Sequence, residues 1–496
     1  MLILSFNYKE MKNISKIIGL TVLSLFSLTS CERDISTLNE DPKNPAVIPS
    51  ANLVGTVSYY LTNQHVSPSV NANITRFFTQ QWTETTYTSE TNYRFEERNQ
   101  NQAHFNNAYR EVIGPLAKAK SFVENESESV VYSATDQAKI KDNKRAIIEI
   151  ISIYQWANLV DSFGDIPYSE ALKDGVSGDL VLQPVYDDAA TIYDDLLKRL
   201  DVAINSVSSG LPGYENEPFY NGNMTKWIKV ANTIKLQMGL NLADTNSSKA
   251  KSIVEAAVNA GVINKAEDSW QFVFDNSQFT NPVYQNLVAN GRSDFLPSDV
   301  FVDHMKNNSD PRISKYITLA PDGTYKGGVY GILNTYNSFS KVADRIKEPT
   351  VPGVIFNQVD VKFMLAEAAA RGFSVGGSAS ELYNEAVTLS MEEWEVDSAD
   401  IVAYLVAHPY NAINWKKSIG EEAWIAMFNR GFEAWNFWRR TDFPKLDPAP
   451  SADHGYVYRM PYPLGEKNNN KANVEAASSK ITGGDVYSSK VFWDKF

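Results

Sequence analysis

Apolar residues recur at helical steps through most of this chain, and the rhythm fails in one long central stretch. In "KDNKRAIIEIISIYQWANLVDSFGDIPYSEAL", Ile147, Ile151, Tyr154 and Val160 fall near helical spacing, and Gly164 and Pro167 close the element. "PVYDDAATIYDDLLKRLDVAINSV" opens with Pro184 and acidic residues, a helix start, and then sets Ile192, Leu196, Leu200 and Ile204 four apart. "MTKWIKVANTIKLQMGLNLAD" and "SKAKSIVEAAVNAG" predict two further helices, the second ended by Gly261. Between 263 and 355 Gly, Asn, Pro and aromatics mix without period, which predicts loops and a few short strands. Helices return in "VDVKFMLAEAAARGF" and "SELYNEAVTLSMEEW", where small Ala residues suit close packing of a tetratricopeptide-like pair. No regular 34-residue repeat accompanies them, so only irregular helical pairs are expected. "EEAWIAMFNRGFEAWNFWRRTDFP" reads as one last long helix. Its Trp424, Phe428, Trp435 and Trp438 are a core stripe, and Arg439 and Arg440 suit the dipole of its C-terminal turn. The fold class is mostly α.

The N-terminus has a different logic. Lys12 and Lys16 precede an apolar run, Ile17 to Leu28, and small residues follow, the layout of an export signal with Met11 as the better start. The run is short for a membrane span, which needs roughly 20 apolar residues. It ends in Leu28-Thr29-Ser30-Cys31, and Cys31 is the one cysteine of the 496 residues. An apolar residue, two small residues and a cysteine resemble the bacterial lipobox, whose thiol becomes a thioether to diacylglycerol. Residues 1–30 are thus read as signal, 31–50 as a lipidated tether rich in Pro, Asn and Asp, and 51–496 as one helical domain. With no second thiol, disulfides, cysteine metal sites and cysteine nucleophiles are excluded.

Charge and motifs narrow the function. Forty-six Lys and Arg against 59 Asp and Glu give −13, with no basic stripe, which argues against nucleic acid. His65, His104, His304, His408 and His454 form no HxxxH or HxH motif, and neither a GxSxG elbow nor a phosphate loop occurs. Asp187/Asp188 and Asp194/Asp195 could hold a cation or form a glycosidase pair; a helix N-terminal turn and a solvated face explain them more simply.

Aromatic residues make up 12% of the chain, including 25 Tyr and 10 Trp, which raises the prospect of stacking surfaces. Loop-borne rings suit a sugar or peptide site, because a flat ring covers an apolar face at small entropic cost. The favoured stretch is "QQWTETTYTSETNYRFEERN", with Trp82, Tyr87, Tyr93 and Phe95 beside Asn92 and Arg94. A second holds Asn281 and Tyr284, and a third Tyr330 and Tyr336. Packing of these loops onto the helices is the alternative for each.

Seven segments in order, "LNEDPKNP", "QWANLVDSFGDIPYSEAL", "MTKWIKVANTIKLQMGL", "SDPRI", "FMLAEAAARG", "EEAWIAMFNRGFEAWNFWRRTDFP" and "RMPYPLGE", resemble the SusD/RagB outer-membrane lipoproteins, in the branch with an Asn-Pro-rich leader. The resemblance implies a surface-exposed, helical binding protein without catalysis or cofactor. It also implies a SusC-like TonB-dependent transporter as partner, and an oligosaccharide or oligopeptide nutrient as ligand. Members often carry an acidic cluster after the lipidated cysteine; here Arg33 interrupts Glu32 and Asp34. A surface-anchored glycan-degrading enzyme and an adhesive surface protein are the alternatives.

Overall fold

The computed structural model describes residues 48–126, 131–173 and 180–496. The signal, Cys31 and nearly all of the tether lie outside the described residues. Residues 49–496 form one body built from pairs of helices. The long helix Ala134–Phe163 packs on Ala189–Ser206, Met224–Asn241 on Ser247–Ala260, and Gln358–Ala370 on Ala379–Glu393. Each pair is consecutive in sequence or joined by a short segment, as periodic amphipathic runs with turn residues between them require.

Local chemistry sets the helix ends. Asp188 caps Ala189–Ser206 by accepting from the Thr191 N–H at 2.9 Å, so the start lies five residues beyond Pro184. Asn223 and Asn246 cap the next two helices. Asn357 and Ser378 each form a reciprocal box with an acidic residue three positions on. Caps of this kind contribute about 1 kcal/mol each. Gly164 and Gly261 leave their helices at φ +83° and +98°, a region where Cβ is crowded. Helix approach also selects small residues. A Cβ on Gly239 would lie 2.9 Å from both Ile253 and Val254, so glycine lets these two helices meet.

The final aromatic run is two helices rather than one, Trp415–Ala426 and Gly431–Thr441. Asn429 turns through φ +67° between them. The break is imposed by the neighbouring Thr75–Arg76 backbone: a Cβ on Gly431 would fall 2.3 Å from the Arg76 nitrogen. The Arg76 guanidinium donates to Asn429 Oδ1 at 2.6 Å. The aromatic stripe is core as expected, with Trp424, Phe428, Trp435 and Trp438 all buried. Arg439 and Arg440 are buried too, so the helix dipole is not their main partner. Arg439 donates to the Asp161 and Tyr458 carbonyls and lies 3.7 Å from the Trp435 ring centre. Arg440 pairs with Glu367 at 3.0 Å.

Buried carboxylates knit the pairs together. Asp161 accepts from the Tyr193 hydroxyl, the Trp493 indole, and the Asn241 and Asn436 amides, joining four helices, its own included, to the C-terminal segment. Arg312 grips Asp310 through two nitrogens and reaches Glu422 at 2.6 Å, with all three enclosed. Such pairs need every partner, since a lone buried charge is strongly unfavourable.

The 263–355 stretch is loop-rich as expected, but also contains the nine-residue helix Asp299–Asn307, capped by Ser298. Among the described residues, three two-stranded antiparallel sheets complete the body. Trp82–Glu84 pairs with Phe295–Pro297, Ile166–Pro167 with Tyr186–Asp187, and Trp270–Phe272 with Gly353–Phe356. Among the described residues, no helix is long and apolar enough to cross a membrane.

Candidate functional site

The strand Trp82–Glu84 brings two of the three candidate stretches together. Its register sets Trp82 opposite Pro297 and Glu84 opposite Phe295. Beyond the strand, the Thr85 N–H donates to the Asp294 carbonyl at 2.8 Å, and the Asn334 N–H donates to the Thr85 carbonyl at 2.9 Å. The Asn334 amide also donates to the Glu84 carbonyl at 3.1 Å. Loops 85–91, 288–294 and 329–336 are thereby fixed to one another by backbone-directed bonds.

What these loops expose is apolar. Tyr87 is 60% exposed and Leu333 70%, and Ile332, next to Leu333, and Val288, on the 288–294 loop, are exposed too. The Arg98 guanidinium lies over the Tyr87 ring, 5.4 Å from its centre, which leaves a flat aromatic group with a cation at hand. Tyr284, at the end of the short helix Pro282–Tyr284, and Tyr336 are half-buried, with the Lys341 ammonium 4.3 Å from the Tyr336 ring centre.

Six residues after Tyr87 the chain lines a cavity of about 410 Å³. Tyr93, Arg94 and Phe95 form one wall, and Asp453, His454 and Tyr487 stand among the residues opposite. Asp485 on the rim is held by Arg459 at 2.7 Å, Lys467 at 3.1 Å and the Tyr462 N–H at 3.0 Å. Glu97 accepts from Ser89 and Arg94. Burial raises the Tyr487 hydroxyl, and pushes the Tyr93 hydroxyl up to about 12, so both stay protonated at neutral pH, Tyr93 accepting from the Gln80 amide and Tyr487 from the His454 N–H. The cavity offers hydroxyl, carboxylate, guanidinium and imidazole groups between aromatic rings.

The candidates therefore divide. Tyr87 and Arg94 are exposed, and Tyr93 and Phe95 show one edge to the cavity while the rest of each ring is packed away. Trp82 is completely buried, stacked on Phe428 at 5.4 Å with Arg76 on its ring, because strand pairing turns it into the core. Asn92 has no amide bond to spare. It donates to the Gly331 and Thr88 carbonyls at 2.7 and 2.8 Å and accepts from the Ser451 N–H at 3.0 Å. Gly331 sits at φ +75°, where a Cβ would lie 2.6 Å from Pro450. Tyr330 is buried, donating to the Phe77 carbonyl at 2.7 Å, and its hydroxyl meets that of Tyr93 at 3.3 Å. Asn281 lies apart. Its amide ties the Val351 carbonyl at 2.7 Å beside a second cavity of about 410 Å³ that Arg345, Trp394 and Arg430 also line.

Sequence reasoning missed Leu333, Asn334 and the cavity's far wall. Asp453, His454, Asp485 and Tyr487 lie more than 350 residues downstream of Tyr93, and only the fold joins them. The signal for Leu333-Asn334 was present in "GILN", an apolar pair and an amide without period. The paired carboxylates have structural partners: Asp188 is the cap, Asp187 accepts from the Tyr168 and Ser169 N–H groups, Asp194 pairs with Lys249, and Asp195 accepts from Tyr168. Among the described residues no group of three or more potential metal ligands occurs.

Comparison with known proteins places this geometry. A SusD homologue of Bacteroides uniformis is 24% identical and superposes with a TM-score of 0.74, over 90% of this chain and 99% of that one. A chitin-binding SusD homologue of Flavobacterium johnsoniae is 22% identical with a TM-score of 0.73, over 90% and 97%. A structure named as a chitin-binding protein gives 24% identity and a TM-score of 0.74, over 90% and all of its length. At these identities the likeness establishes the fold. Comparison with curated proteins finds no match. The SusD-like family model, described as starch-binding and associating with the outer membrane, matches residues 42–463, and the chain belongs to that family.

Proposed function

We propose that this protein is a lipid-anchored glycan-binding protein of the outer membrane, which captures an oligosaccharide and passes it to a SusC-like TonB-dependent transporter. The observation that carries the reading is the exposed Tyr87, with Arg98 over its ring, on interlocked loops that lead six residues on into a cavity wall rich in hydrogen-bonding groups. A flat ring beside convergent polar groups suits a pyranose, whose apolar face stacks while its hydroxyls both donate and accept. The family description and the two chitin-binding neighbours support a glycan over a peptide, and make N-acetylglucosamine and glucose oligomers the first ligands to try. Binding rather than turnover is the role.

The anchor is the thioether at Cys31, and the transporter contact falls to the folded body. Purification of tagged full-length protein from outer membranes in mild detergent, with mass spectrometry of what accompanies it, tests the partnership. A stoichiometric large barrel supports delivery. Its absence, while other outer-membrane complexes stay intact, leaves a stand-alone binder.

A further inference from the structure

The loop that carries Tyr87 is closed at both ends by a buried carboxyl. Glu84 ends the strand and Glu90 lies six residues on, and both are shielded from solvent. Glu84 Oε2 accepts from the Thr91 N–H and the Thr91 hydroxyl, each at 3.1 Å. Glu90 Oε1 takes the Gln100 amide and Arg98, the latter at 2.9 Å. Glu90 Oε2 is fully buried and has no donor, although the two carboxyl groups are within hydrogen-bonding reach of each other. Ionised carboxylates only accept, so two of them in contact repel, and an orphaned buried oxygen is unfavourable. One proton between them cures both faults.

We propose that Glu84 keeps a proton and donates it to the orphaned Glu90 Oε2, and that this proton, acting through Arg98, positions Tyr87 for its ligand. The part concerning the ligand rests on the reading of Tyr87 given above; the proton does not. Arg98 is the link, since it pairs with Glu90 while lying over the Tyr87 ring. The surroundings otherwise offer no compensating charge. Thr91, Gln100 and Asn334 are neutral, and the Tyr330 hydroxyl faces Glu84 from the 329–336 loop with its own proton firmly held. Burial first, and Glu90 second, push the Glu84 carboxyl up to about 9, against the pull of Thr91.

When the proton leaves to solvent at alkaline pH, the pair carries two negative charges faced by Arg98 alone. The loop ends then separate and Arg98 is drawn toward the pair and away from Tyr87. The sign for stability follows from the raised value. The native state keeps a proton that the unfolded chain gives up near the ordinary glutamate range, so this contribution is complete below that range and is lost as pH rises through about 9.

The test uses ligand-free full-length protein and the infrared carbonyl band of a protonated carboxylic acid. At pH 7 the difference spectrum of wild type against Glu84→Gln should contain that band. In wild type the band should vanish reversibly on titration past about pH 9. Glutamine mimics the neutral acid, so Glu84→Gln should fold and show no such titration, and Glu90→Gln, which removes the second cause and leaves burial, should move the loss of the band to lower pH. Hydrogen exchange of the 85–91 amides, compared between wild type and Glu84→Gln at each pH, reads the loop. The two should match at pH 7 and diverge above the titration, with wild type faster. Absence of the band difference at pH 7, or equal alkaline loosening in both proteins, overturns the proposal. Should Glu84→Gln fail to fold, the wild-type titration decides alone.

Discussion

Two buried carboxylates, Asp161 in the helical body and Glu84 beneath the loops, meet opposite surroundings. Both are driven by burial toward the neutral acid. Asp161 is answered by four side-chain donors and the nearby Arg439, and both of its oxygens are in use. Glu84 is answered by Thr91 alone and has a second carboxyl beside it. A saturated network fixes one arrangement and tolerates no change, whereas an incomplete one leaves a proton to decide the arrangement. Asp161 in the helical body is of the first kind, and Glu84 beneath the loops proposed to take a ligand is of the second.

The comparison breaks most readily at Asp161. Asp161→Ala strands two amides, an indole and a hydroxyl in the core, and should lower stability by roughly 3–5 kcal/mol in urea unfolding. A loss under about 1 kcal/mol would mean that the hub is ornamental. Trp82→Ala comes next. As a core ring it should cost roughly 3 kcal/mol or more in the same measurement, with glycan affinity of the folded fraction unchanged; weakened binding without lost stability would return Trp82 to the ligand site.

The alkaline limb sharpens the contrast. Melting temperature followed from pH 7 to 10 should fall more steeply in wild type than in Glu84→Gln, because only wild type has this proton to lose. Parallel curves would dissolve the distinction between the two carboxylates. The smallest effect is expected at Tyr87. Tyr87→Ala should leave unfolding within about 0.5 kcal/mol of wild type, as surface changes do, while weakening glycan binding by about 1 kcal/mol, the scale of one ring contact.

The same division governs what was legible in the sequence. Periodic apolar positions and turn residues marked the helical pairs, since a buried stripe must repeat every 3.6 residues. The family-like segments owe much of their character to the buried networks: Asp161, Asp310 with Arg312, Glu367 and Arg440 all lie within them. The break at Asn429 was hidden because it is imposed from outside by Arg76, and Gly431 was its trace. In the loops, residue type suggested aromatics without saying which way each points. Pairing with Phe295–Pro297 turned Trp82 inward and left Tyr87 out. Neither fact has a local signature, and the cavity's far wall comes from the other end of the chain.

Calorimetric titration of the protein with N-acetylglucosamine and glucose oligomers, run in parallel on wild type and Tyr87→Ala, is the most direct test of glycan capture at the loops. One oligomer series should bind wild type and bind Tyr87→Ala several-fold more weakly, with both proteins equally folded. Glycan binding that ignores Tyr87, or no glycan binding at all, would contradict the placement of the ligand on these loops or the glycan itself.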